Sequence, residues 1–187
     1  MFKLLAILLS MSLMACTDTS SQDASKKNEK IVGIKFPQIS AETLAGTKVI
    51  LPDSAQGKIT LIIIAFKREA QPQLDSWLKP FMKEFNGKPC FTFYEVPMLA
   101  TYWKLMSWMI DSGMRSGIEE EKHKNVMTYY GDYTIYQREL GLNDVTFGYA
   151  FLLDREGIIR WNGRGYATKD AISKMLDCAK RLTKEGK

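Results

Sequence analysis

Histidine is almost missing from this 187-residue chain, and cysteine is scarce, with one of the former and three of the latter. The single histidine, His123, lies in the charged run Glu119-Glu120-Glu121-Lys122-His123-Lys124. There it reads as exposed decoration rather than as a metal ligand or general base. The three adjacent glutamates cannot be assumed to face one another as a working carboxylate pair must. Cys16, Cys90 and Cys178 are far apart, with no CxxC or metal-ligand spacing. Glycine-rich phosphate loops are missing as well. Residues 162 to 166, NGRGY, carry two glycines but neither nucleotide-binding spacing, and read as a tight turn. A formal charge of +5 is spread along the chain without a basic run, which leaves no nucleic-acid footprint. No cofactor or metal set is expected.

What is present begins with a leader. Lys3 gives a short basic start, Leu4 to Leu9 form an apolar run too short to span a bilayer, and Leu13-Met14-Ala15-Cys16 places a small residue before a cysteine. The pattern resembles the lipobox of bacterial lipoproteins, in which the cysteine becomes the acylated first residue. A simple secretory signal cut nearby is the alternative, and either reading takes the chain out of the cytoplasm. Residues 1 to 15 are therefore expected as a signal peptide, and residues 16 to 30 as lipidated Cys16 and a flexible tether. This tether has no large apolar side chain to bury. Residues 31 to 187, with 45% hydrophobic content over the whole chain, suffice for one core. The expected location is the bacterial envelope, facing the periplasm, with the membrane reached through the lipid on Cys16.

Within the domain, two extended segments flank Gly46, and Ile59 to Phe66 forms an apolar strand of the kind covered on both faces. Pro72 suits the first turn of a helix whose Leu74, Trp77, Leu78, Phe81 and Phe85 recur at helical spacing, with a kink expected at Pro80. Cys90 opens a second strand ending near Pro97. Leu99 to Met114 then predicts a second helix, in which Met98, Leu99, Tyr102, Trp103, Leu105, Met106, Met109 and Ile110 share one arc. Trp108 falls in the opposite, polar arc and is expected to be exposed. Asn125 to Tyr130 suggests a short strand. Asp132 caps a helix that Gly141 stops, Tyr149 to Trp161 reads as a hairpin turning at Asp154 to Gly157, and Thr168 caps a last helix. Cys90 and Cys178 read as small buried hydrophobes, with a disulfide between them left open. The order βαβαβαββα predicts an α/β fold of thioredoxin-like type, a central mixed sheet covered by helices on both faces.

Such a fold usually carries its reactive cysteine at the start of the first helix, where backbone N–H groups stabilise a thiolate. Positions 67 to 73 read Lys-Arg-Glu-Ala-Gln-Pro-Gln. A cis-proline before the hairpin strand is also missing, its place taken by Asp144-Val145-Thr146-Phe147-Gly148. The succession of LAGTKVILP, AFKREAQPQLDSWLKPF, GMRSGI and GYAFLLDREGIIRWNGRGYAT is similar to the assembly factors for the membrane sector of mitochondrial ATP synthase. That resemblance runs from about Phe36 to the end of the last helix. It implies a thioredoxin-like or peroxiredoxin-like fold without redox cysteines, and a chaperone role toward a membrane subunit. It carries over Gln73, Ser76 and Trp77 on the first helix, Arg115 after the second, and Arg160, Trp161 and Gly165 at the hairpin. Each stands between fold maintenance and partner contact. The family is mitochondrial, whereas the leader here is of bacterial type.

Two functions compete, while a third, a small-molecule or haem-delivery module, is disfavoured by the lack of a CxxC or histidine ligand set. One is a non-catalytic, lipid-anchored binding module with a protein client, for which Trp108 is a further contact candidate. The other is an envelope thiol-disulfide or peroxide oxidoreductase using Cys90 or Cys178 as a displaced nucleophile.

Overall fold

The computed structural model describes residues 31–185. Cys16, the leader and the tether lie outside them. The elements run β1 (Ile39–Glu42), β2 (Lys48–Leu51), β3 (Ile59–Ala65), α1 (Gln71–Phe85), β4 (Phe91–Leu99), α2 (Ser107–Gly117), β5 (Tyr129–Tyr130), α3 (Thr134–Leu140), β6 (Tyr149–Leu153), β7 (Ile159–Arg164) and α4 (Lys169–Glu185). From β3 onward this is the βαβαβαββα order.

Seven consecutive residues of β3, ITLIIIA, are all buried. This follows from their place at the centre of a five-stranded sheet ordered β5-β4-β3-β6-β7. β3 pairs in parallel with β4 and antiparallel with β6. Its alternating side chains feed two separate cores. Leu61 and Ile63 join Leu74, Trp77 and Phe81 of α1 and Met175 and Ala179 of α4. Ile62 and Ile64 join Ile39 and Leu51 of the β1–β2 hairpin and Tyr136 and Leu140 of α3. The α1–α4 pair thus covers one face, and α3 with the hairpin covers the other.

Local signals act as expected at several ends. α1 begins around Pro72 and runs on through Pro80. Asp132 Oδ1 accepts the Thr134 N–H at 2.9 Å, and Gly141 closes α3 with a φ of 69°. Thr168 Oγ1 accepts the Ala171 N–H at 3.2 Å at the start of α4.

Three expectations need correction. The helix predicted over 99 to 114 is not one helix. Met98 and Leu99 stay in β4 to pair with β5, Thr101–Met106 is a 3-10 helix, and the α-helix starts only at Ser107. Met106, at φ −110° and ψ 13°, separates the two helical pieces. His123 is half-buried rather than exposed, with Nε2 at 3.0 Å from the Ile118 carbonyl oxygen. Cys90 is half-buried rather than buried, and no disulfide joins it to buried Cys178.

Candidate functional site

The start of α1 is where a thioredoxin-like enzyme would act, and here a glutamine holds it. Gln73, in the first turn, accepts the Gly148 N–H on Oε1 at 2.8 Å and donates from Nε2 to the Thr146 carbonyl at 3.2 Å. One side-chain amide therefore satisfies both peptide groups of the loop entering β6. The loop sits directly on the helix. A Cβ at Gly148 would lie 2.7 Å from Leu74 Cδ2 and 3.3 Å from Gln73 Cβ. Asp144 supports the same loop, accepting the Thr146 N–H and hydroxyl at 2.9 and 2.6 Å. Those bonds hold its carboxyl below the usual range, helped by Arg164 and Lys67.

A second set of bonds ties α1 to the turn after β7. Ser76 Oγ donates to the Gln73 carbonyl at 2.6 Å and accepts the Ala167 N–H at 2.8 Å. Trp77 is 1% exposed, and its indole N–H donates to the Gly165 carbonyl at 2.8 Å. The Trp161 ring lies 5.1 Å from that of Trp77. Gly165 adopts a φ of 67°, and its N–H reaches the Gly148 carbonyl at 2.8 Å. Gln73, Ser76, Trp77, Trp161 and Gly165 are thus brought together as one suture of helix, loop and turn. Fold maintenance accounts for the buried indole of Trp77.

Arg160 and Arg115 lie elsewhere. Arg160 pairs through Nε with Asp154, whose carboxylate also accepts the Glu156 and Ile158 N–H groups at 3.0 and 2.9 Å and so shapes the hairpin turn. Arg115 Nε donates to the Leu44 carbonyl at 2.8 Å, fastening α2 to the loop after β1.

The segment around Trp108 exposes most of its large apolar side chains. Neither the 3-10 helix Thr101–Met106 nor α2 buries a single residue. Leu105 is 88% exposed, Trp108 73% and Tyr102 70%, with Trp103, Met106 and Met109 exposed beside them. Toward the domain α2 turns half-buried Ile110 and Met114 together with polar groups. Asp111 accepts the Tyr130 hydroxyl at 2.8 Å, and Arg115 makes the bond to Leu44. Burial, together with that bond to Asp111, pushes the Tyr130 hydroxyl pKa up. A segment that leaves this many large apolar side chains exposed departs from the usual amphipathic helix, and exposed apolar surface of this kind marks an interaction surface.

Sequence reasoning missed the roles of three residues, and read Gly163 as part of a tight turn where it lies in β7. Glu95 of β4 is 8% exposed on the α1 side of the sheet, and burial pushes its carboxyl up despite a hydrogen bond from Gln71. A lone acid inside the apolar run CFTFYEVPML was its signal. Gly148 and Gly163 are required for close approach. A Cβ at Gly163 would stand 2.6 Å from Trp161 Cη2 and 2.9 Å from Trp77 Cη2.

Comparison with known proteins places this geometry. Among solved structures, the chain is similar to a candidate protein disulfide isomerase from Bacteroides thetaiotaomicron at a TM-score of 0.55. Identity is 16%, covering 81% of this chain and 90% of that one. It is similar to the thioredoxin domain of a thiol-disulfide oxidoreductase from Bacteroides vulgatus at a TM-score of 0.52, 21% identity, covering 78% and 95%. It is also similar to BsSco, a member of the Sco family of cytochrome c oxidase assembly proteins. There the TM-score is 0.53 and identity 11%, over 81% and 95%. At such identities the likeness establishes a thioredoxin-like fold and no activity. No curated protein matches the chain. A family model described as "ATP10 protein" matches residues 22–182, and the chain belongs to that family of ATP synthase assembly factors.

Proposed function

We propose that the chain is a non-catalytic binding module, lipid-anchored in the bacterial envelope through Cys16, that assists assembly of a membrane protein complex. The observation that carries this reading is the segment of residues 101 to 117, whose Tyr102, Leu105, Trp108 and Met109 are exposed while hydrogen bonds hold it to the domain. Such a surface suits an apolar client. Membership of an assembly-factor family supports a protein client. The leader sequence ending at Ala15-Cys16 supports the anchor.

Among the described residues, no thiol stands at the start of α1, where the oxidoreductase reading needs one. Cys90 precedes β4, whose first residue pairs with Ile59 at the start of β3, whereas α1 starts beyond the other end of that strand. A photo-crosslinking residue placed at Leu105 in the living cell tests the proposal, with captured proteins identified by mass spectrometry. A membrane-complex subunit is expected. Capture of nothing above background, or reduction of insulin by the purified wild-type chain, overturns it. The anchor is tested separately: Cys16→Ser should move the protein to the soluble fraction and remove the acyl mass.

A further inference from the structure

The sheet has an unfilled stretch of edge. β5 pairs only with Met98 and Leu99, and Val126 adds one bridge at Glu95, so Phe91 to Tyr94 of β4 have β3 on one side and, among the described residues, no strand on the other. Bonds to β3 use alternate residues, as in the Ile59 N–H to Cys90 carbonyl contact. The peptide groups of Phe91, Phe93 and Glu95 therefore turn outward, where the Phe91 N–H is taken by the Lys88 carbonyl at 3.1 Å. Glu95 meets the Met127 N–H at 2.9 Å. The Phe93 carbonyl instead accepts the side-chain amide of Asn125 at 2.8 Å, a bond of the type an incoming strand would make. Along this edge runs a cleft of about 410 Å³. Thr47 and Val49 form one wall, and the end of α1 forms the other. Its charged lining residues are Lys58 and Lys124, with no Asp or Glu. Neither lysine is in an ion pair among the described residues. A third cation, Lys88, stands 5.2 Å from the ring of Phe85, which lines the cleft.

We propose that this cleft binds an acidic, extended polypeptide segment as an added strand. The strand pairs with the two outward groups left open, the Phe91 carbonyl and the Phe93 N–H, and sets its carboxylates against Lys58 and Lys124. Backbone pairing supplies the affinity and the lysines the selection, as in other modes of strand addition. The inference rests on the reading of the chain as a protein binder, at a surface separate from residues 101 to 117.

Fluorescence anisotropy with the full-length chain in mild detergent tests it. The probe is fluorescein-labelled Glu-Val-Glu-Val-Glu-Val. Two comparison peptides are used, one with lysine in place of glutamate and one N-methylated at alternate amides. The acidic peptide is expected to bind, the lysine peptide not, and the N-methylated form to lose binding. Lys58→Glu with Lys124→Glu should weaken the acidic peptide about tenfold or more and admit the lysine peptide. That gain shows the variant is folded. Equal binding of both charges, binding that survives N-methylation, indifference to the charge reversal, or no binding each overturns the proposal. Peptide binding here with failed capture at Leu105 would sink the assembly reading and leave this one standing.

Discussion

Gly163 shows how one missing methyl group shapes the suture. Its Cβ position is taken by the edges of Trp161 and Trp77, so Gly163→Ala must push an indole aside. Overpacking of this kind costs about 1–3 kcal/mol, and urea denaturation should show a lower midpoint with an unchanged slope. Glu95 makes a pH-dependent prediction. Its native pKa is raised by burial first and by Asp75 next, against Gln71 and Lys122, so the folded state holds its proton to higher pH than the unfolded state does. Stability from this residue is therefore fully present below the ordinary carboxylate pKa. It falls as pH rises through the native value. Glu95→Gln keeps a partner for Gln71 and should raise Tm at pH 7 but not at pH 4; an equal effect at both would refute the burial argument. Ser76, Trp77 and Gly165 came from the family resemblance, while their bonding became visible only in three dimensions. The Gln73 clamp spans residues far apart in sequence. No local periodicity encodes such a contact.

At the scale of elements, strand β3, helices α1, α3 and α4 and the β6–β7 hairpin were legible because periodicity, caps and turn residues agreed. The stretch after β4 was not. Its apolar residues do recur at helical spacing, but spacing does not state whether an apolar arc faces a core or solvent. β5 kept Met98 and Leu99 in the sheet. Trp108 is exposed as expected, yet so are Tyr102 and Leu105, which that periodicity placed on the opposite arc. Trp108→Ala should therefore change stability by no more than about 0.5 kcal/mol while weakening client capture. A large fall in Tm would contradict the exposure. Because α2 buries nothing, its amides should exchange with deuterium well before those of β3, whose residues are all buried.

For the whole molecule, neither Cys90 nor Cys178 stands at the start of α1, so replacing both by serine should leave cellular function intact provided the protein folds. Lost function with undiminished folded protein would revive the thiol enzyme. The arrangement of β3 has a kinetic corollary. One of its walls, β4, follows soon after it in the chain, but the other, β6, arrives only with Tyr149–Leu153. A nascent chain that has not yet delivered those residues holds its most apolar strand with one flank bare, and the sheet cannot close early. Non-local pairings of this sort slow folding and leave an adhesive edge while they wait. A chain ending at Val145 should accordingly show no cooperative unfolding transition and should aggregate, even though it contains β3, α1 and β4 entire.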